Sequence, residues 1–119
     1  PNLELIPPSG GWRGHVALRC NSNDYLPVAG IVPRINDFNQ RYAALANDRK
    51  RLIDAAAPVY PGLAVLTSLG SRGLTAAPLA AERVVDQLLG MPPCLPRYLQ
   101  RAISPARFAE RALKRGEAL

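Results

Sequence analysis

Histidine and cysteine are almost missing from this chain: His15 is the sole histidine among 119 residues, and Cys20 and Cys94 are the only cysteines. No Cys-x-x-Cys occurs and no second histidine can join His15, so the spacing of a zinc site or a redox dithiol is absent. The two thiols are read as free cysteines of a cytoplasmic protein, and His15 as structural. No apolar run approaches the ~20 residues that span a bilayer. No charged start leads into an apolar stretch with a small-residue cleavage site. A membrane protein and a secreted precursor are therefore not expected. Neither GxxxxGK[ST] nor GxGxxG is present, so neither usual phosphate loop can be assigned. With hydrophobic residues at 48% and charged ones at 20%, bulk disorder is excluded. The first residue is Pro1, not Met, and a fragment or a processed chain is expected.

Acidic residues are also few. Nine Asp and Glu stand against 15 Lys and Arg, a formal charge of +6. The excess concentrates late: residues 83–115 hold Arg83, Arg97, Arg101, Arg107, Arg111, Lys114 and Arg115 against Asp86 and Glu110. Such asymmetry favours an anionic partner, nucleic acid above all.

The opening PNLELIPPSGG reads as irregular. In residues 15–20, Val16, Leu18 and Cys20 alternate with His15, Ala17 and Arg19, the period of a strand with one buried face. Asn21–Asp24 is turn chemistry. Residues 25–32 read as a second strand, with Pro27 at an edge or at its start, and the pair suggests an antiparallel hairpin. Residues 36–57 read as a helix on the spacing of Phe38, Tyr42, Leu45, Leu52 and Ile53, ended by Pro58 and Pro61-Gly62. The apolar run 63–69 predicts a strand buried on both faces, and Gly-Ser-Arg-Gly (70–73) follows at once. A helix is predicted from near Thr75 to Gly90, with Leu74, Pro78, Ala81, Val85 and Leu88 along one stripe. Ser104-Pro105 opens a last helix that Gly116 closes. The fold class is mixed, α/β or an α+β fragment, and no internal repeat is found.

Strand, GSRG and helix together carry the most chemistry. The first amides of a helix point outward with roughly half a positive charge, and glycines admit a close approach to the backbone. A phosphate, a carboxylate or the anionic edge of a cofactor could sit there; a plain tight connection is the alternative.

Residues 59–90, VYPGLAVLTSLGSRGLTAAPLAAERVVDQLLG, closely resemble the C-terminal flavin-contacting segment of the FAD-dependent amine oxidases related to D-amino-acid and glycine oxidases. Residues 17–33, ALRCNSNDYLPVAGIVP, are similar to that family's hairpin, with Arg19, Asp24, Pro27 and Gly30 in the same order. The combined spacing looks most like the C-terminal oxidoreductase domain of the bacterial bifunctional tRNA 5-methylaminomethyl-2-thiouridine biosynthesis proteins. SPARFAERALKRG (104–116) resembles the close of that domain, with Ser104-Pro105 where Asn-Pro is usual. The resemblance covers about residues 12–116.

The resemblance implies the C-terminal part of a discontinuous, Rossmann-like FAD-binding oxidase fold. Residues 1–33 would be substrate-domain strands, 34–58 a helical insertion, 59–90 the flavin-contacting unit and 91–119 a basic helical tail. It places Gly70, Ser71, Arg72, Gly73, Leu74 and Thr75 against FAD, where the amides would stabilise negative charge on the flavin edge. The missing GxGxxG implies that the rest of the FAD site lies in the remaining N-terminal portion of the polypeptide. Arg19 matches the position that binds a substrate carboxylate, a task suited to a guanidinium fork; an exposed strand arginine is the alternative. Tyr25 lines the same cavity or is a half-buried core residue. Arg72 reaches flavin or tRNA, or is a solvated loop residue.

Arg107, Arg111 and Lys114 share one helical face and either contact tRNA phosphates or solvate an amphipathic helix. The implied substrate is a tRNA bearing a carboxymethylaminomethyl group on its wobble uridine. S-adenosylmethionine would serve only a methyltransferase domain absent here. Two rivals stand beside this reading. One is an RNA-binding module using GSRG as a KH-type GxxG loop, which needs a helix before the loop. The other is a related oxidase of free amino acids.

Overall fold

A two-stranded antiparallel sheet organises the first half of the fold. In this computed structural model, which describes residues 9–10, 14–53 and 55–117, strand β1 is Val28–Pro33 and strand β2 is Val59–Thr67. Most of the irregular opening lies outside the described residues. Pro27 stands just before β1, where its missing N–H costs no ladder bond. The register pairs Val28 with Thr67, Gly30 with Val65 and Ile31 with Ala64, then slips before Pro33 meets Val59. The slip takes in Pro61-Gly62, and Gly62 has φ +74°. This pair, expected to end a helix, instead forms an irregularity inside a strand.

The hairpin expected between residues 15–20 and 25–32 is not formed. β1 pairs with β2, and residues 14–20 are exposed without regular structure. Their alternation is real, but Val16 and Leu18 have no apolar face to meet among the described residues. The strand predicted over 63–69 is present, though not buried on both faces. It has one strand neighbour, and Leu63 and Leu66 remain exposed.

Helix α1 (Ile35–Arg41) runs into a 3-10 turn at Ala43–Ala46 and stops there, so the long helix predicted over 36–57 is cut short. Asp48 is the reason: its carboxylate accepts the Lys50 amide at 3.0 Å, an Asx turn that diverts the backbone. The apolar spacing still identifies the core. Phe38 and Leu45 bury themselves with Ala109 and Leu113, with Tyr42, Ile53 and Ala106 packed around them. The Phe38 and Tyr42 rings stack with centroids 4.3 Å apart.

Helix α2 (Gly73–Leu89) ends on Gly90 at φ +66°, the expected left-handed cap. Its buried face is not the predicted stripe. Ala80, Arg83 and Asp86 are buried, while Leu74, Val85 and Leu88 are exposed. The sheet covers the opposite side, where the Gln87 side chain accepts the Ile31 amide of β1 at 3.2 Å. That oxygen lies 2.7 Å from where a Cβ on Gly30 would stand, so Gly30 admits Gln87 to the strand.

Helices α3 (Arg97–Ile103) and α4 (Arg107–Lys114) complete the chain. Ser104 Oγ accepts the Ala106 amide at 3.3 Å, so the Ser-Pro pair does turn the chain into α4, although the helix starts two residues later than predicted. Gly116 closes it at φ +78°.

One ion-pair cluster joins the two ends of the sequence. Arg107 donates from Nε to Asp24 Oδ2 at 2.9 Å and from Nη2 to Asp24 Oδ1 at 3.0 Å. Its guanidinium also reaches the carbonyls of Leu26 and Ser104 and lies over the Phe108 ring. Arg111 adds a 2.5 Å contact to Asp24 Oδ2. Arg107 is only 4% exposed, so its charge depends on Asp24 for compensation.

These partners, Arg107 first, hold the Asp24 carboxyl well below the ordinary carboxylate range, against the opposing effect of burial. A carboxylate lowered in the folded state stabilises fully above its unfolded pKa of about 4 and loses that contribution as pH falls below it. Denaturant unfolding across a pH series should show stability falling below about pH 4. Asp24→Asn should flatten that acid limb and lower stability at pH 7 by about 3–5 kcal/mol, the usual consequence of stranding a buried charge. An unchanged slope in the variant would remove Asp24 from this role.

Candidate functional site

Two segments read separately in the sequence lie side by side in the fold. β2 ends at Thr67, and the chain turns through Ser68 at φ +57° and Gly70 at φ +59°. Gly70–Arg72 forms a 3-10 turn that feeds directly into α2. Across this junction runs the Arg19-bearing segment. Asn21 forms an isolated antiparallel bridge with Leu69, and Cys20 Sγ stands 3.8 Å from Ser68 Oγ. Arg19 is therefore the neighbour of a residue that touches the β2–α2 turn.

Six predicted contact residues, Gly70, Ser71, Arg72, Gly73, Leu74 and Thr75, form one accessible turn. Ser71, Arg72, Leu74 and Thr75 are exposed, and Leu74 is 99% exposed. No side chain caps α2, and its first turn contains no acidic residue. The first backbone amides of a helix have no acceptor within its own α-helical turns; the 3-10 turn before α2 takes up part of them, and the helix start keeps a weak positive potential. With an apolar Leu74 displayed beside them, such donors fit the carbonyl-rich edge of a flat heteroaromatic ring. Nothing in the turn supplies the carboxylate or imidazole ligands of a metal, and among the described residues no cluster of His, Cys, Asp or Glu could hold one.

Arg19 and Tyr25 are both exposed. Tyr25 does not lie half-buried in a core. It closes the Ser22–Tyr25 turn with φ +58° and 81% exposure, its amide donating to the Ser22 carbonyl at 3.1 Å. Ser22 Oγ lies 2.8 Å from Asp24 Oδ1, and the Leu26 amide donates to the same oxygen at 3.2 Å. The clamp on Asp24 thus fixes the turn that follows the Arg19 segment.

The predicted phosphate-facing trio is divided by its partners. Arg107 is buried and saturated, so its guanidinium is not displayed to solvent. Arg111 leans one edge on Asp24, and Lys114 donates to Glu110 Oε1 at 2.7 Å. A helical stripe in sequence shows which residues share a face, not that this face is covered by a carboxylate 83 positions away. Gln87 carries no signal in the sequence, since its task is a contact to backbone of a distant element, and the turn chemistry read at Asn21 does not disclose its bridge to Leu69.

The glycine that this turn requires is Gly70. A Cβ there would collide with Asn21 Oδ1, and positive φ costs other residues about 1–2 kcal/mol. Gly73 has φ −53°, and its Cβ would meet only the Leu69 Cβ at 3.5 Å. Thermal unfolding should show Gly70→Ala destabilised by at least about 1 kcal/mol. Gly73→Ala should be neutral or slightly stabilised, since alanine is the better helix former. Equal losses would contradict this assignment.

No family model matches the chain. The chain is similar to proteins named tRNA 5-methylaminomethyl-2-thiouridine biosynthesis bifunctional protein MnmC. That of Pseudomonas entomophila is 44% identical over 104 residues, covering 87% of this chain. That of Pseudomonas syringae pv. tomato is 46% identical over 109 residues, covering 92%, and that of Legionella pneumophila strain Corby is 40% identical over 119, covering 96%. The chain spans 16% to 18% of the length of these relatives. Nearly all of this sequence is thus similar to these MnmC proteins, over about one sixth of their length.

Proposed function

We propose that this chain is the C-terminal part of an FAD-dependent oxidoreductase acting on a CH–NH group of modified tRNA. The reaction removes the carboxymethyl group from 5-carboxymethylaminomethyl(-2-thio)uridine at the wobble position. The observation that carries the reading is the bridge between Asn21 and Leu69, which sets the Arg19 segment beside the GSRG turn. The names of the relatives, which specify tRNA 5-methylaminomethyl-2-thiouridine biosynthesis, support tRNA over free amino acids as the substrate.

FAD supplies the acceptor for the hydride lost from the carboxymethyl carbon. The chain's own residues position and polarise. Arg19 holds the substrate carboxylate through paired charge-assisted hydrogen bonds, with Tyr25 beside it. With FAD bound, the amides of Ser71 to Thr75 would face its oxygen-rich edge and stabilise negative charge there. Loss of the amine proton and the hydride leaves an imine; water adds, glyoxylate departs, and the uridine keeps an aminomethyl group. S-adenosylmethionine-dependent methylation of that group is the task of another domain. No histidine is required, because orientation and charge stabilisation supply the catalysis.

Other features are consistent with a portion of a larger cytoplasmic enzyme. Leu74, Val85 and Leu88 lie exposed on the side of α2 turned away from the sheet, an apolar stripe that the N-terminal portion of the polypeptide would cover. Among the described residues no helix is long and apolar enough to cross a membrane. The KH-type reading needs a helix before its GxxG loop, and residues 59–67 form a strand.

In the full-length protein carrying this chain, Arg19→Lys should lower kcat/KM on carboxymethylaminomethyl-tRNA by about tenfold or more, because lysine cannot reproduce a bidentate charge-assisted pair. Flavin content per protein should be unchanged. A change in kcat/KM below about twofold, well under 1 kcal/mol, would show that Arg19 does not anchor the carboxylate.

A further inference from the structure

Away from the GSRG turn, α3 and α4 face residues 49–53 across an open groove of about 370 Å³. Phe38, Tyr42, Leu45 and Ile53 contribute an apolar floor. Seven cationic side chains and one carboxylate line the groove. Arg107 among them belongs to Asp24. The carboxylate, Glu110, is shared by Arg101 at 3.2 Å and Lys114 at 2.7 Å. Burial raises its pKa, but Lys114 and Arg101 outweigh that effect and keep it below the ordinary value.

Arg49, Lys50, Arg51 and Arg97 are exposed, and no ion pair or side-chain hydrogen bond engages them among the described residues. The neighbouring Asp48 is turned to its own loop, accepting the Lys50 amide. The loop itself is pinned to α1 and the 3-10 turn, by Arg41 to the Ala56 carbonyl at 3.1 Å and Tyr42 to the Ala55 carbonyl. The Arg-Lys-Arg run is thus presented from a fastened rim. Arg97 and Arg101, one turn apart on α3, stand across from it.

We propose that this groove binds the phosphate backbone of RNA, with Arg49, Arg51 and Arg97 as its principal phosphate contacts. Guanidinium groups match phosphate oxygens bidentately, and cations on two facing rims can grip a strand from both sides. An apolar floor accommodates sugar and base edges. Contacts of this kind give affinity without reading sequence, which suits a protein that holds tRNA at a distance from the modified base. The inference rests on the proposed tRNA substrate. It moves the nucleic-acid surface from the Arg107, Arg111 and Lys114 stripe, which is paired with carboxylates, to cations that are unpaired among the described residues.

The test measures anisotropy of a labelled, unmodified tRNA transcript with the full-length protein over a range of salt. The variants are Arg49→Gln/Arg51→Gln and Arg97→Gln, with Arg115→Gln as a control outside the groove. The double variant should bind about tenfold more weakly, and its slope of log affinity against log salt should fall by about two, roughly one for each phosphate no longer neutralised. Arg97→Gln should lower the slope by about one, and Arg115→Gln should change little. Thermal midpoints should match the parent, because these side chains hold no ion pair among the described residues. Unchanged tRNA affinity in both groove variants would overturn the proposal and leave the groove to an acidic protein surface. Because binding is read without turnover, a protein that binds tRNA through this groove yet leaves the carboxymethyl group intact would fault the proposed chemistry alone.

Discussion

The bidentate pair between Asp24 and Arg107 is the constraint on which the rest of this structure depends. It joins residues 83 positions apart, and it sets the turn after the Arg19 segment against the helix that carries part of the apolar core. A buried guanidinium is costly without a counter-charge, so the folded state requires this geometry and not merely proximity. With that turn fixed, the upstream residues cross the β2–α2 junction, and Asn21 can bridge Leu69. The same arginine stacks on Phe108 and holds the carbonyls of Leu26 and Ser104. One side chain therefore sets both the C-terminal helix and the edge of the candidate site.

Charge also explains how this chain divides its surfaces. Carboxylates are scarce, and the best-placed ones are committed to internal pairs: Asp24 to Arg107 and Arg111, Glu110 to Arg101 and Lys114. Residues 49–51 and Arg97, on a groove, have no such partner among the described residues. At the other end, the start of α2 has no side-chain cap and no acidic residue, and Arg72 stands exposed just before it. The two regions suit different parts of the proposed substrate, the phosphate backbone and the reacting base with its cofactor.

Local chemistry is readable directly from the residues. Gly90 and Gly116 cap helices because a left-handed residue must follow the last turn, and Pro27 precedes a strand because it has no amide to give. Phe38 and Leu45 are legible as core from their spacing, even though Asp48 cuts the helix short. Long-range choices are not legible. Residues 15–20 alternate as a strand should, yet alternation does not name a partner, and β1 pairs instead with β2. The Leu74, Val85 and Leu88 stripe does share one side of a helix, but periodicity does not say that the sheet packs against the other side. Gly73 stands at the strand–helix junction in the sequence, whereas backbone conformation places the requirement on Gly70. Arg107 looks like a surface cation because its carboxylate partner is remote in sequence.

Product analysis tests the central claim most directly. Full-length protein carrying this chain is incubated with tRNA that bears 5-carboxymethylaminomethyl-2-thiouridine, in the absence of S-adenosylmethionine. Nucleosides are then resolved by mass and glyoxylate is assayed. The account requires one glyoxylate released for each aminomethyl nucleoside formed, with loss of flavin absorbance when oxygen is excluded. An intact carboxymethyl group in the presence of bound FAD and bound tRNA would contradict it.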